Sequence, residues 1–217
     1  MRSPRTTEAI GDLAGGAATT APPRPRVDMQ RLDCRCAGYR YVGLRRRDIQ
    51  PLRRFRNEQM SLLRQRHPLR EEDQERWFEE VVTPTHADPE PSFLLVSILD
   101  GEEDFIGYGG LTHIDWQQRR AEVSFLMSPD RAVNAETYRR DMRSFLTWVQ
   151  GWAFDELQLH RLFTETYVFR TEHIRILEES GFVSEGRLRH HIIDPSDPSG
   201  FLDSLLHGRC ADQRGVR

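Results

Sequence analysis

Apolar residues recur along the chain with two alternating periods, one of about two residues and one of about 3.6 residues. The period of two, together with short apolar runs, predicts strands over residues 41–44, 93–99, 104–113, 121–127, 162–167, 184–193 and 201–207. The helical period predicts helices over residues 51–63, 70–82, 138–152 and 171–180. This order of strands and helices predicts a mixed sheet with helices packed on it.

Three local signals mark where predicted elements end. The dipeptide Asp100-Gly101 predicts a tight turn of an antiparallel hairpin, because glycine adopts the positive φ that such turns need. Thr171 is the expected N-cap of the last helix. Gly181 stands just after that helix, where a residue at positive φ commonly ends one.

The two ends of the chain differ in composition from its middle. The first 27 residues are rich in Gly, Ala, Thr and Pro and hold few large apolar side chains. Such a composition buries too little surface to offset the entropy cost of ordering. We therefore expect a disordered arm over residues 1–38, one folded domain over residues 39–209 and a loose tail over residues 210–217.

The basic residues are unusual in kind. The 217 residues include 31 that are Lys or Arg, and all of them are arginine. The absence of lysine excludes a Schiff-base lysine, a P-loop lysine and the catalytic lysine of a protein kinase. Any anion that this protein binds is therefore held by guanidinium groups or backbone amides.

The overall charge and hydropathy exclude other classes of partner. A net charge of -3 and a pI of 6.3 argue against nucleic-acid binding, which typically gives a pI above about 9. No apolar run approaches the roughly 18 residues of a membrane span, and the N-terminus lacks the apolar core of a signal peptide. We expect a cytoplasmic protein with neither a nucleic-acid nor a membrane partner, as a monomer or homodimer.

Cysteine and histidine give no prediction of a metal site. The three cysteines are an odd number, and Cys34-Arg35-Cys36 lacks a second ligand cluster at zinc spacing. His190 and His191 point to opposite faces of a predicted strand, so at most one faces any groove. We therefore predict no bound metal.

Four sequence segments resemble the GNAT superfamily of acyl-CoA-dependent N-acetyltransferases. They are Ile-Gly-Tyr-Gly-Gly-Leu at 106–111, Ala-Glu-Val-Ser-Phe-Leu at 121–126, Leu-His-Arg-Leu at 159–162 and the segment 176–186 around Gly181-Phe182. The last segment continues as x-x-Glu-Gly-x-x-Arg to Arg189, which is similar to the ribosomal-protein and amino-sugar N-acetyltransferase branch. The resemblance covers about residues 39–207.

The resemblance implies an α+β fold with a mixed, mostly antiparallel sheet and helices on both faces. In that family the fourth and fifth strands, here residues 121–127 and 162–167, splay apart. The free edge of the fourth strand then binds the pantetheine of acetyl-CoA, the co-substrate, by strand addition. Phe125, Leu126 and Met127 are the residues expected to hold it.

Glu122 occupies the position where many members of the family carry a carboxylate that takes a proton from the substrate amine. We predict it as the general base. The alternative is a structural glutamate at the end of a strand, paired with Arg119 or Arg120, and the sequence leaves both open.

Two departures from the family pattern concern the cofactor. The loop after the fourth strand, residues 128–137, lacks both glycines that cradle pyrophosphate in the family. Arg131 and Arg139 are predicted as phosphate partners in their place, or else as part of a solvated helix face. Arg170 stands where the family has a cofactor-binding Asn and is predicted to bind the cofactor too.

A further departure concerns the general acid. Leu177 stands where the family carries a Tyr that protonates the departing thiolate. Tyr167 is the nearest substitute in sequence, although it could be a core residue, and water could supply the proton instead.

The acceptor groove of the family is usually lined by the first two helices, the hairpin before the fourth strand and the last two strands. The resemblance therefore implies that the substrate-binding residues are Arg56, Asn57, His113, Asp115 and Trp116. Trp116 could equally pack under the first helices. The predicted acceptor is a small molecule with a primary amine, such as a nucleotide-linked amino sugar. A protein amine as acceptor, or an inactive binding module, are the alternatives.

Overall fold

Eight strands form one sheet in the order β1-β2-β3-β4-β5-β6-β8-β7. The structure is a computed structural model, and it describes residues 27–213. The strands are β1 (Asp33–Cys36), β2 (Tyr39–Gly43), β3 (Leu94–Asp100), β4 (Asp104–Asp115), β5 (Arg120–Met127), β6 (Arg161–Tyr167), β7 (Val183–Asp194) and β8 (Asp197–Cys210). The α-helices are α1 (Ile49–Glu58), α2 (Glu71–Trp77), α3 (Thr83–Thr85), α4 (Pro129–Ala132), α5 (Ala135–Gly151) and α6 (Thr171–Glu179).

Helices cover both faces of this sheet, as the resemblance implies. Leu94, Val96 and Ile98 of β3 pack in one apolar cluster with residues of α5 and α6. Leu95, between them in sequence, packs in a second cluster with α1 residues such as Leu52. Because alternate side chains of a strand point to opposite faces, the two clusters lie on opposite sides of the sheet. The predicted fold class is confirmed.

The only parallel neighbours in the described sheet are β5 and β6, and they separate soon after they meet. They pair at Arg120–Arg161, Ala121–Leu162 and Glu122–Phe163 only. Beyond this point β5 stays paired with β4 as far as Met127, and β6 stays paired with β8 as far as Tyr167. The predicted splay is therefore present, and it leaves one edge of β5 without a partner strand.

The N-terminal boundary of the fold differs from the prediction. Strand β1 lies within the segment expected to be disordered and pairs with β2. Cys34 and Cys36 alternate with polar residues and pack against the larger core, which gives this short strand an apolar face. At the other end, β8 continues to Cys210 and a 3₁₀ turn follows over Ala211–Gln213. Most of the predicted arm, residues 1–26, and residues 214–217 of the predicted tail lie outside the described residues.

Two predicted helix ends also differ. The first helix ends at Glu58, because the backbone leaves the helical region at Gln59, with φ −119° and ψ 30°, and a 3₁₀ turn follows over Met60–Leu62. The Gln59 side chain fixes this end to the sheet, since its Nε2 donates to the Met127 carbonyl at 2.8 Å. Arg170 rather than Thr171 is the N-cap of α6, and it makes no side-chain capping bond. Gly181 follows α6 at φ 87°, as predicted.

Within residues 27–213, no helix combines the length and the apolarity that a membrane crossing requires.

A buried carboxylate fixes α5 against the sheet. Asp141, with 1% of its side chain exposed, accepts hydrogen bonds from Arg131 Nε at 2.7 Å and Nη2 at 2.9 Å. The Tyr39 hydroxyl of β2 donates to the same carboxylate. Arg131 also pairs with Asp100 at 3.0 Å, so one arginine links the end of β3 to α5.

We predict that Asp141→Ala destabilises the protein by about 3 kcal/mol, because it leaves Arg131 and Tyr39 without their buried partner. Unfolding by urea measures the change. Asp130→Ala, at an exposed position of α4, is the control and should shift stability by less than about 0.5 kcal/mol. Equal stability of the two variants would contradict this role of Asp141.

Candidate active site

Two cavities meet along the gap between β5 and β6. The larger one, of about 470 Å³, is lined by predicted residues from β4, from both splayed strands and from α1: Arg56, His113, Glu122, Phe125 and Tyr167. The smaller one, of about 320 Å³, contains Leu126, Met127 and residues at the start of α5 and α6. Arg170 and His173 line both cavities, so they stand at the junction.

Glu122 lies at the last residue pair before the strands separate, with 13% of its side chain exposed. Its Oε2 contacts His113 Nδ1 at 2.9 Å, and its Oε1 contacts Arg64 Nη2 at 3.2 Å. The alternative pairing from the sequence is not what the structure shows: Arg119 Nε donates to the Gln158 carbonyl, and Arg120 pairs with Asp115. Glu122 therefore lines the larger cavity while it is paired with Arg64 and His113.

A bulge in β4 brings His113 to this carboxylate. The register between β4 and β5 shifts between Thr112 and Asp115, and His113 has a φ of 49°. A bulge changes the direction of a side chain relative to a regular strand. This local irregularity places the His113 ring beside Glu122.

A second carboxylate, Glu165 of β6, lies in the same cavity and was not singled out from the sequence. Its side chain is 14% exposed, and its Oε2 contacts the same Arg64 Nη2 at 2.8 Å. Burial disfavours the charged form of Arg64, but Glu122 and Glu165 outweigh this effect and raise its pKa. The sequence signal was an acidic residue two positions before Tyr167, on the same face of a splayed strand.

Tyr167 ends β6 and is 8% exposed. Burial is the main cause that raises the pKa of its hydroxyl, although Arg64 acts in the opposite direction. Tyr167 therefore keeps its proton at neutral pH, where it lines the cavity with Glu122.

A buried network at the junction was also missed from the sequence. The Tyr138 hydroxyl of α5 lies 2.7 Å from His173 Nδ1, and Arg170 Nη2 donates to that hydroxyl at 3.0 Å. Burial, followed by the charge of Arg170, lowers the pKa of His173 well below its usual value, so the ring is neutral. With neutral His173 accepting at Nδ1, Tyr138 is its hydrogen-bond donor.

The predicted phosphate partners lie elsewhere. Arg131 is bound to Asp100 and Asp141, and Arg139 is bound to Glu172 and Glu179 at 2.6 Å each. Neither lines either of the two cavities at the gap, because carboxylates distant in sequence hold both guanidinium groups. Among the predicted cofactor arginines, Arg170 alone lines the cavities.

The predicted substrate residues divide into two groups. Arg56 and His113 line the larger cavity. Asn57 instead holds the Leu69 backbone through both its amide atoms, and Asp115 accepts from the Gln118 amide at the β4–β5 turn. Trp116 is buried and its indole donates to the Pro91 carbonyl at 3.0 Å, so it packs in the core.

Residues 42–196 match the family model described as acetyltransferase (GNAT) domain. The chain belongs to the GNAT acetyltransferase family. No curated protein matches it.

Solved structures share the fold of this GNAT acetyltransferase. One is the dodecameric spermidine N-acetyltransferase from Vibrio cholerae, 16% identical with a TM-score of 0.67, covering 82% of this chain and 96% of that one. Another is the same enzyme in complex with CoA and spermine, 18% identical with a TM-score of 0.69, covering 81% and 97%.

The GNAT acetyltransferase uses acetyl-CoA, and the gap between its strands fits that co-substrate. Beyond Glu122, the β5 edge that faces β6 has no partner strand, so its backbone groups are available to a pantetheine amide. At the smaller cavity, backbone amides of α4 already have partners within the helix and are not free for phosphate. The Ala132 amide donates to the Ser128 carbonyl, and the Val133 amide donates to the Pro129 carbonyl. The start of α5 at Ala135 then remains as a source of amides for phosphate.

One group of metal-type ligands lies outside both cavities. The ligand atoms of His160, Cys210 and Asp212 lie within 4.8 Å of one another. They number one fewer than a closed tetrahedral zinc site needs.

We predict that stability falls as the pH drops below about 6.5 and that His173 causes part of this loss. The folded pKa of His173 lies below the unfolded value of 6.5, so the unfolded chain binds the proton first as the pH falls. His173→Gln should give a smaller loss between pH 7.5 and pH 5, measured by urea unfolding. His67→Gln, at an exposed loop position, is the control. If the two variants show the same pH dependence, His173 is not a cause of the loss of stability at low pH.

Proposed function

We propose that this enzyme acetylates the primary amine of a small molecule bound in the larger cavity, by direct attack in a ternary complex. The observation that supports the proposal is the position of Glu122, a largely buried carboxylate at the point where the free β5 edge begins. The base, the acceptor cavity and the expected cofactor edge therefore adjoin.

Side chains of this protein can carry out both proton transfers of the reaction, one from the acceptor amine and one to the departing sulfur. Acetyl-CoA supplies the thioester whose carbonyl carbon the amine attacks, so a C–N bond forms and the C–S bond breaks. Glu122 removes the proton from the acceptor ammonium, directly or through water, and His113 holds its carboxylate in place at 2.9 Å. Tyr167 donates the proton that the departing sulfur takes up. No covalent enzyme intermediate is needed.

The chemical class of the acceptor is narrower than a small molecule with a primary amine. Two carboxylates in the cleft favour a cationic small amine, and the solved enzyme from Vibrio cholerae with spermine bound supports this class. The amino sugar and the protein amine stay predictions, as do the cytoplasmic location and the monomeric or homodimeric state. An inactive binding module stays the second candidate, because the phosphate loop lacks its glycines and Leu177 replaces the family Tyr.

Calorimetry with acetyl-CoA and a thiol-release assay with a panel of small amines test the proposal. Binding of acetyl-CoA together with release of CoA that depends on an amine is the expected result. Binding without turnover of any amine favours the inactive module. Absence of binding at millimolar acetyl-CoA contradicts both the proposed activity and the proposed acetyl-CoA site.

We predict that Glu122→Gln lowers kcat/KM by about 100-fold, and by more at low pH, because the acceptor amine is then hardest to deprotonate. The pH–rate profile by thiol release measures this. Glu80→Gln, which replaces an exposed carboxylate three residues after the end of α2, should keep the wild-type profile. An unchanged profile for Glu122→Gln removes Glu122 from the mechanism.

A further inference from the structure

The larger cavity holds more arginines than its carboxylates bind. Its arginines and carboxylates among the described residues are Arg56, Arg64, Arg170, Glu122 and Glu165. Arg64 Nη2 contacts Glu122 at 3.2 Å and Glu165 at 2.8 Å. The other two arginines bond only to neutral groups within the described part of the chain. The cavity therefore contains two guanidinium groups without a carboxylate partner.

The two carboxylates, in contrast, share a single guanidinium nitrogen. The other described partners of these carboxylates are imidazoles: His113 Nδ1 lies 2.9 Å from Glu122, and His191 Nε2 lies 3.5 Å from Glu165. Two glutamates and one arginine leave one negative charge to be balanced, and like charges disfavour each other in a largely buried place. A protonated amine of the acceptor supplies that positive charge at Glu122.

Arg56 of α1 differs from most partly buried arginines of this fold. Its Nε donates to Gln65 Oε1 at 3.1 Å, its Nη1 donates to the Tyr108 hydroxyl at 3.0 Å, and its Nη2 donates to no described residue. The partly buried arginines that pair with a carboxylate are Arg40, Arg45, Arg53, Arg131, Arg139 and Arg161. The charge of Arg56 is therefore held in the cavity without a described counter-ion.

Tyr108 of β4 places a second donor beside this guanidinium group. It is 6% exposed and lines the same cavity. Its hydroxyl accepts from Arg56 and donates to no described residue, so its hydrogen is free for another acceptor. Arg56 Nη2 and the Tyr108 hydroxyl thus give two neighbouring donors, which suit the two oxygens of one carboxylate.

The guanidinium group is oriented before any ligand binds. Gln65 accepts from Arg56 through Oε1, and its Nε2 donates to Asn57 Oδ1 at 2.8 Å. Asn57 in turn accepts from the Leu69 amide at 2.8 Å. This chain of bonds fixes Arg56 to the loop between α1 and α2, the same loop that carries Arg64.

Arg170 differs from Arg56 in its position. It lines both cavities, and its Nη2 donates to the Tyr138 hydroxyl at 3.0 Å and lies 3.2 Å from Nδ1 of neutral His173. Arg56 lines the larger cavity and not the smaller one. Of the two arginines without a carboxylate, Arg56 is therefore the one that belongs to the acceptor side alone.

We infer that the acceptor is an amino carboxylate, whose ammonium group binds at Glu122 and whose carboxylate accepts hydrogen bonds from Arg56 and Tyr108. This inference rests on the proposed function and adds to it a substrate class and two specificity-determining residues. A zwitterion balances the cavity in both signs. One negative charge matches the single guanidinium of Arg56, which favours a carboxylate over a doubly charged phosphate. Arg170 stays with acetyl-CoA.

Acceptors that differ only in the anionic group test the proposal by thiol release. They are glycine, 3-aminopropanoate, 4-aminobutanoate and 6-aminohexanoate, each compared with its carboxamide and with the aminoalkylphosphonate of the same length. For at least one length, the wild type should use the carboxylate with a kcat/KM at least about tenfold above that of the carboxamide. Equal use of carboxylate and carboxamide at every length, or a tenfold preference for the phosphonate, overturns the proposal.

Arg56→Gln should raise KM for the preferred carboxylate about tenfold and leave the carboxamide nearly unchanged, because only the charged partner is lost. Unchanged use of the carboxamide also shows that the variant is folded. Arg54→Gln, at an exposed arginine two residues earlier in α1, is the matched control and should behave as the wild type. A preference for the carboxylate that persists in Arg56→Gln contradicts the inference.

Two further variants separate the roles of the neighbouring groups. Tyr108→Phe keeps the buried ring and removes only the hydroxyl, so KM for the carboxylate should rise several-fold. Arg170→Gln should weaken acetyl-CoA binding and keep the ratio of carboxylate to carboxamide use. Loss of that ratio in Arg170→Gln but not in Arg56→Gln would place the carboxylate at the wrong arginine and overturn the assignment.

A binding measurement separates this inference from the proposed function. Calorimetry of the four amino carboxylates, with and without saturating CoA, needs no turnover. Binding that Arg56→Gln weakens about tenfold and Arg54→Gln leaves unchanged supports the carboxylate site even if no amine is acetylated. Absence of binding of all four to the wild type overturns the carboxylate site, even if another amine proves to be a substrate.

Discussion

The separation of β5 from β6 after three residue pairs is the constraint on which the rest of the site depends. Each strand keeps its outer partner, β4 for β5 and β8 for β6, so the separation interrupts only one ladder. A parallel pair that opens in this way exposes backbone donors and acceptors at an internal position of the sheet. The same opening creates the cavities and brings side chains of both strands to face one space.

Charge balance follows from that opening. Glu122 and Glu165 come from the two sides of the gap, and their carboxylates would repel each other without Arg64. On the opposite face of the sheet, α5 is held by Asp141, and Arg131 bonds both this carboxylate and that of Asp100. The two arginines therefore have different tasks: Arg131 fixes the helix beside the gap, and Arg64 compensates charge within it.

The sequence predicts the fold better than it predicts the partners of charged side chains. Period and turn signals located all the long strands, because those patterns depend on neighbours in the chain. The family resemblance gave the splay and the position of Glu122. The phosphate role predicted for Arg131 differs from its place in the structure, because Asp100 and Asp141 meet it only in the folded chain. Strand β1 was missed because its apolar face consists of two cysteines in a polar segment.

The site residues that sequence reasoning missed share one property. The roles of Glu165, Tyr138 and His173 depend on contacts with residues far away in the sequence, which no local motif spans. Glu165 is one of many acidic residues in the chain, and only the register of β6 shows that it faces the same cavity as Glu122. The same holds for His173: its ring is neutral because the fold buries it, and the sequence alone does not show that burial.

Hydrogen exchange of the β5 backbone tests the central claim most directly, because that claim is that the unpaired β5 edge holds acetyl-CoA. Exchange is followed by mass spectrometry over residues 120–127, with residues 39–43 of β2 as the internal reference. Saturating acetyl-CoA should slow exchange in the β5 segment and leave β2 unchanged. Unchanged exchange in β5, with acetyl-CoA binding shown by calorimetry, would contradict the account.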